Sequence, residues 1–170
     1  ERRQMGGPLS DRSYLSPQWS PDGRRVAYLV GPWQHGQERH TAGDYDVWVA
    51  DVAGGDPKLV HRFEGISSPP SFSWSPAGDW LLAWVSRERP CTAEEATQGY
   101  GLWVSKELLL TNVETAEVRI VKSGEPFLKV LGWKPDNDSF AYATKQVAFL
   151  ESVGGQVREL ANVPGEECPF

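Results

Sequence analysis

The sequence holds one methionine, two cysteines and three histidines in 170 residues. It also has no apolar run approaching the roughly 18 residues that a membrane span needs, so a transmembrane helix is excluded. Cys91 and Cys168 are too few for a disulfide scaffold, and their separation in sequence leaves both pairing and redox compartment open. The fold must therefore rest on a buried core, which one chain of this length can supply. Basic excess is missing too: the formal net charge is −6, and the balance becomes more acidic after residue 62. Nucleic acid is an unsuitable partner for such a surface. The Ala/Leu/Glu/Lys bias of long helices is absent. Present instead are eight Trp, 17 Gly and 13 Pro, large rigid packing groups set among turn formers, which predicts all-β structure with frequent turns. No charged segment followed by an apolar one opens the chain, and Glu1 is not a natural start residue, so a leader or tag removed upstream stays open.

Familiar catalytic signatures are lacking in the same way. The nearest approach to a Gly-x-Ser-x-Gly nucleophile elbow, residues 65–69, does not fit it. Zinc patterns of the H-E-x-x-H or paired C-x-x-C kind are absent. His35 and His40 stand in a Gly-containing stretch and read as loop residues, and His61 reads as a surface or cross-strand position. Asp44 and Asp46 alternate at the start of a strand and would point to one side. With loop carbonyls they could hold Ca²⁺, but the other ligands are missing. Glu94-Glu95 and Glu166-Glu167 read as solvated charge, and Gly99-Tyr100-Gly101 lacks the third glycine of a phosphate loop. The expectation is no catalytic residue, no metal and no cofactor.

Internal repetition is the strongest signal. Trp19-Ser20-Pro21-Asp22-Gly23-Arg24-Arg25-Val26-Ala27-Tyr28 recurs as Trp74-Ser75-Pro76-Ala77-Gly78-Asp79-Trp80-Leu81-Leu82-Ala83, and again as Trp133-Lys134-Pro135-Asp136-Asn137-Asp138-Ser139-Phe140-Ala141-Tyr142. Proline suits position i+1 of a type I turn, and Gly23, Gly78 and Asn137 suit the left-handed residue that closes a bulged hairpin. Two further β-rich runs follow each copy, so each repeat reads as four short strands. Such repeats are β-propeller blades. The predicted division is a leading segment over 1–14, blades over 15–63, 64–123 and 124–163, and the start of a fourth blade over 164–170. Together these make a partial β-propeller of about three four-stranded blades in an incomplete ring. Self-association that completes the ring is one expectation. The three repeated tryptophans are expected to pack between blades.

The Trp-Ser-Pro-Asp-Gly-x-x-Val-Ala-Tyr pattern resembles the WD40-like (PD40-type) repeat of TolB-type propellers, and also the propeller blades of prolyl oligopeptidase-like peptidases. The resemblance covers about residues 15–163. It implies the architecture and names no activity, since unrelated functions use such blades. It also implies an extracytoplasmic setting, periplasmic or secreted, for TolB-like members.

Two blades are longer than the third, and the excess falls in both between the second and third strands, at 31–44 and 86–107. The chain direction alternates along a blade, so both insertions should emerge on one ring face. Trp33, Arg39, Arg87, Arg89, Tyr100 and Trp103 lie in them, aromatic and basic groups that strand packing does not require, and they are the predicted ligand- or partner-binding residues. The expected function is a non-catalytic platform binding a protein or small ligand through these loops. One alternative is the N-terminal gating propeller of a prolyl oligopeptidase-like serine peptidase whose catalytic domain is absent from this chain. The other is a structural segment that completes a propeller by self-association.

Overall fold

The computed structural model describes residues 12–32, 43–66, 68–91, 102–145 and 147–162. Its architecture follows from one turn used three times. Gly23 N–H donates to Ser20 O at 2.9 Å, Gly78 N–H to Ser75 O at 2.9 Å, and Asn137 N–H to Lys134 O at 3.2 Å. The closing residues have φ of +69°, +80° and +67°, the left-handed region that Gly enters freely and Asn tolerates. In the first two copies the serine hydroxyl accepts a second bond, from Arg25 N–H at 2.9 Å and from Trp80 N–H at 3.1 Å. Each turn fixes the register of the hairpin it closes.

Twelve strands result, in three antiparallel sheets of consecutive strands, with no helix among the described residues. Blade 1 contains β1 (Arg12–Trp19), β2 (Arg25–Pro32), β3 (Gly43–Asp51) and β4 (Lys58–Ile66). Blade 2 contains β5 (Ser71–Trp74), β6 (Trp80–Pro90), β7 (Leu102–Asn112) and β8 (Val118–Glu125). Blade 3 contains β9 (Lys129–Trp133), β10 (Ser139–Ala143), β11 (Val147–Ser152) and β12 (Val157–Asn162). The chain is thus an all-β partial propeller.

The second insertion differs from the loop expected over 86–107. β6 and β7 stay paired well into it, from Ser86 with Lys106 out to Pro90 with Leu102. The cause is a cross-strand lock of the kind that stabilises antiparallel pairs: Arg87 Nε donates to Glu107 Oε2 at 2.7 Å. Residues 91–101 lie beyond the last pair, and of these 92–101 are outside the described part.

Side chains alternate across each sheet, so every blade has two packing faces. Ala27, Leu29, Val47 and Val49 of blade 1 meet Phe72, Trp74, Leu81, Ala83 and Val85 of blade 2 in one buried cluster. Leu82, Leu108 and Leu110 of blade 2 meet Phe140 and Tyr142 of blade 3 in a second, with Trp80, Trp84 and Trp133 packed against it. The repeated tryptophan is therefore a wedge against the preceding blade. Trp74 is 8% exposed and donates through Nε1 to Gln18 O at 3.1 Å, while Gln18 Nε2 donates back to Phe72 O at 2.9 Å. The Arg25 guanidinium lies over the Trp74 ring, 5.6 Å from its centroid. Trp133 is half-buried and meets Phe140 edge-on with ring centroids 5.3 Å apart.

Trp19 overturns the expectation that all three tryptophans pack alike. It is 64% exposed, because no blade precedes it among the described residues. Position in the repeat specifies which way the indole points, and burial depends on having a neighbour there.

Candidate functional site: the insertion face

The two faces of the arc are built differently. On the side of the tight turns, polar bonds tie blade to blade. Arg25 of blade 1 donates to Gly78 O at 2.8 Å and pairs with Glu114 at 2.9 Å, and Lys58 donates to Glu114 O. Ala77 N–H donates to Asn137 Oδ1 at 2.8 Å, so the asparagine that replaces glycine in the third turn also joins blades 2 and 3. Arg119 pairs with the buried carboxylate of Glu151, which also accepts from Tyr142 Oη at 3.1 Å. Burial, followed by the charge and hydrogen bond of Glu151, pushes the Tyr142 hydroxyl up to about 12.

The other face carries the roots of both insertions together with the connections between blades. Gly43 pairs with Ile66 at the end of blade 1, and Arg87 of blade 2 donates to Glu64 O at 2.9 Å. A cleft of about 420 Å³ is lined by Arg12, Pro32, Gly43, Asp44 and Arg62. A second, of about 270 Å³, opens between blades 2 and 3 and includes Ser71, Trp84, Lys106 and Lys129 in its wall.

Asp44 and Asp46 do not act as a pair of calcium ligands. Asp46 is 1% exposed and is held by two guanidiniums, Arg12 at 2.7 Å and Arg62 at 2.6 Å, while the exposed Asp44 accepts from Gly65 N–H at 3.0 Å. Burial alone would raise the Asp46 pKa, but the hydrogen bonds from Arg62 and Arg12 outweigh it and hold the carboxyl below its usual range. Two cations already neutralise this carboxylate, so a metal ion would have to displace them. Among the described residues no group of three or more His, Cys, Asp or Glu is placed to hold a metal.

Of the sequence-predicted binding residues, Trp33, Arg39 and Tyr100 lie outside the described residues. The backbones of Arg89 and Trp103 pair with each other in the β6–β7 hairpin, and their side chains lie outside the described part. Arg87 is described fully. It is occupied by Glu107 and by Glu64 O, so it braces the insertion root and joins blade 1 to blade 2. The residues that sequence reasoning missed, Trp84, Lys106 and Lys129, stand on three different strands, and only the register brings them to one wall.

His61 is not a plain surface residue. It is half-buried and meets Phe63 edge-on, with ring centroids 4.4 Å apart. Burial, and then the charge of Arg87, lower its pKa. Below about pH 6.5 the unfolded chain therefore takes up a proton that the fold resists, so stability falls as pH drops from there toward the lower folded value. Thermal unfolding of His61→Gln should depend less on pH between 7 and 5 than that of the parent chain. Parallel curves would remove His61 from that role.

Three twisted four-stranded meanders, packed face to face by a wedge tryptophan, define a segment of a β-propeller. Its blades are TolB-like. Over 79 residues, 46% of this chain, the sequence is 33% identical to the Tol-Pal system protein TolB of Alcanivorax borkumensis, and the match takes in 16% of that protein. TolB from Acinetobacter baumannii superposes with a TM-score of 0.51 at 19% identity, over 88% of this chain and 32% of that one. A puromycin-hydrolysing peptidase from Mycobacterium tuberculosis superposes with a TM-score of 0.58 at 17% identity, over 92% and 24%. The β-propeller domain of the Trilobed protease from Pyrococcus furiosus gives 0.52 at 12% identity, over 89% and 43%. No protein-family model matches the chain. The chain spans under half the length of each of these proteins. At such identities the structural likenesses carry the fold alone.

Proposed function

We propose that the chain is part of a non-catalytic propeller platform that binds a protein or small ligand on its insertion face. The observation that carries this reading is the asymmetry of the two faces. Cross-blade ion pairs and turn-to-turn hydrogen bonds close one side, whereas the roots of both insertions and two clefts open on the other. Loops carried on a rigid frame are where binding residues concentrate. Trp33, Tyr100 and Trp103 serve as apolar anchors, with Arg39 and Arg89 favouring an anionic group. Arg87 serves as the brace beneath them. The TolB likeness supports an extracytoplasmic setting and a protein partner. A binding screen with Trp33→Ala and Trp103→Ala tests the reading: affinity should fall at least about tenfold in one of them, as for an interface anchor. A partner untouched by both changes is bound elsewhere.

The peptidase likeness supports a second reading, in which these blades gate a serine peptidase whose catalytic domain lies in sequence beyond this chain. The full-length gene decides between the two, since the second requires an α/β-hydrolase segment with Gly-x-Ser-x-Gly.

A further inference from the structure

From the wall of the cleft between blades 2 and 3, we infer a binding site for a hydroxylated organic acid of monosaccharide size, held by its carboxylate or phosphate on Lys106 and Lys129. The cleft is lined by Ser68 and Ser71 from the connection into blade 2, Trp84 and Ser86 from β6, Lys106 from β7 and Lys129 from β9. At about 270 Å³ it has room for about nine waters at ~30 Å³ each, which suits a single sugar-sized molecule.

Charge gives the first argument. The chain is acidic overall, and Arg12, Arg25, Arg62, Arg87, Arg119, Lys122 and Lys134 each hold a carboxylate. Among the described residues Lys106 and Lys129 have no such partner, as is also true of Arg24, Lys58, Lys145 and Arg158, but Lys106 and Lys129 line one cleft from different blades. Among the described residues Lys106 Nζ donates only to Leu128 O at 3.4 Å, the long limit of a hydrogen bond. The carboxylates beside Lys106 are occupied, Glu107 by Arg87 and Glu125 by Lys122 at 3.2 Å. Two uncommitted ammonium groups at one cleft favour an oxyanion.

The rest of the wall sets the ligand's remaining chemistry. Serine hydroxyls both donate and accept, matching a polyol, and the half-buried Trp84 indole offers an apolar surface for the C–H face of a ring. The seam itself is incompletely bonded: Ser73 Oγ and Trp133 Nε1 are buried there without a hydrogen-bond partner among the described residues. At the seam between blades 1 and 2, by contrast, Trp74 Nε1 donates to Gln18 O and Gln18 Nε2 donates to Phe72 O. Ser73 occupies the place of Gln18 and is too short to cross.

The inference goes beyond the loop-face reading and needs none of the insertion-tip residues. Calorimetric titration of the chain with D-glucuronate, D-glucose 6-phosphate and neutral D-glucose tests it. At least one of the two acids should bind with Kd below ~10 mM and about tenfold or more tighter than glucose. Binding by the uronate alone or by the phosphate ester alone identifies which oxyanion the site takes, and either supports it. Lys129→Gln, at an exposed position, should weaken that binding at least about fivefold without altering Tm, and Trp33→Ala and Trp103→Ala should leave it unchanged. Glucose binding as well as the acids, no acid binding, or an affinity indifferent to Lys129→Gln would overturn the assignment. Loss of binding in Trp33→Ala or Trp103→Ala would overturn it as well, by moving the site to the loops.

Discussion

Replacing Trp74 by alanine is expected to destabilise the chain by about 3–5 kcal/mol, the usual cost of emptying a core position of this size. The same substitution at Trp19, its repeat equivalent, should cost less than about 1 kcal/mol. Trp74 is 8% exposed and Trp19 64% exposed, so the indoles differ in what they touch and not in sequence context. Trp74 fills the seam between blades 1 and 2, donates to Gln18 O and lies beneath Arg25. Trp74→Ala therefore removes a wedge, a hydrogen bond and a cation–π contact together. For a chain of this length the loss corresponds to a fall in Tm of about 6–20 °C. Equal effects at the two positions would show that seam packing does not distinguish them, and the account of the blade order would be wrong.

The second large effect is expected at Asp46. Its buried carboxylate accepts from Arg12 at 2.7 Å and from Arg62 at 2.6 Å. Removing one member of a buried ion pair typically costs about 3–5 kcal/mol, but water reaches both guanidiniums here, so Asp46→Ala should cost about 2–3 kcal/mol. The pH dependence has a definite sign. The folded carboxyl titrates below its unfolded value near 3.9. Its stabilisation is therefore complete above about pH 4 and is lost as pH falls through the lower folded value. Asp46→Asn should abolish that share of the acid sensitivity. Urea unfolding at pH 7 and pH 3 measures both quantities, and an Asp46→Ala loss under about 1 kcal/mol at pH 7 would contradict the triad's structural weight.

The residues explain why the frame could be read from sequence and much of the site could not. A Pro-x-Gly turn fixes backbone geometry locally, so three copies of it predicted three hairpins, and Asn137 could be assigned its left-handed conformation in advance. Tryptophan spacing likewise gave the seams, except that a spacing pattern carries no information on whether a neighbouring blade is present to bury Trp19. The role of Asp46 was not legible, because the two arginines that neutralise it lie 34 residues upstream and 16 downstream. Composition of the second insertion suggested a loop, since the Arg87–Glu107 lock that keeps it paired appears only once the register is known. Trp84 reads only as a repeat position and Lys106 and Lys129 carry no motif, and the three meet through strand pairing and blade packing.

The central claim is that the arc is closed on its turn face and receives its partner on its insertion face. Hydrogen–deuterium exchange on the chain, alone and with a partner recovered from the binding screen, tests this most directly. The account predicts slowed exchange in peptides covering 31–46 and 86–107, with the turns at 20–25, 75–80 and 134–139 unchanged. Protection confined to those turns, with the insertions exchanging as in the free chain, would contradict it.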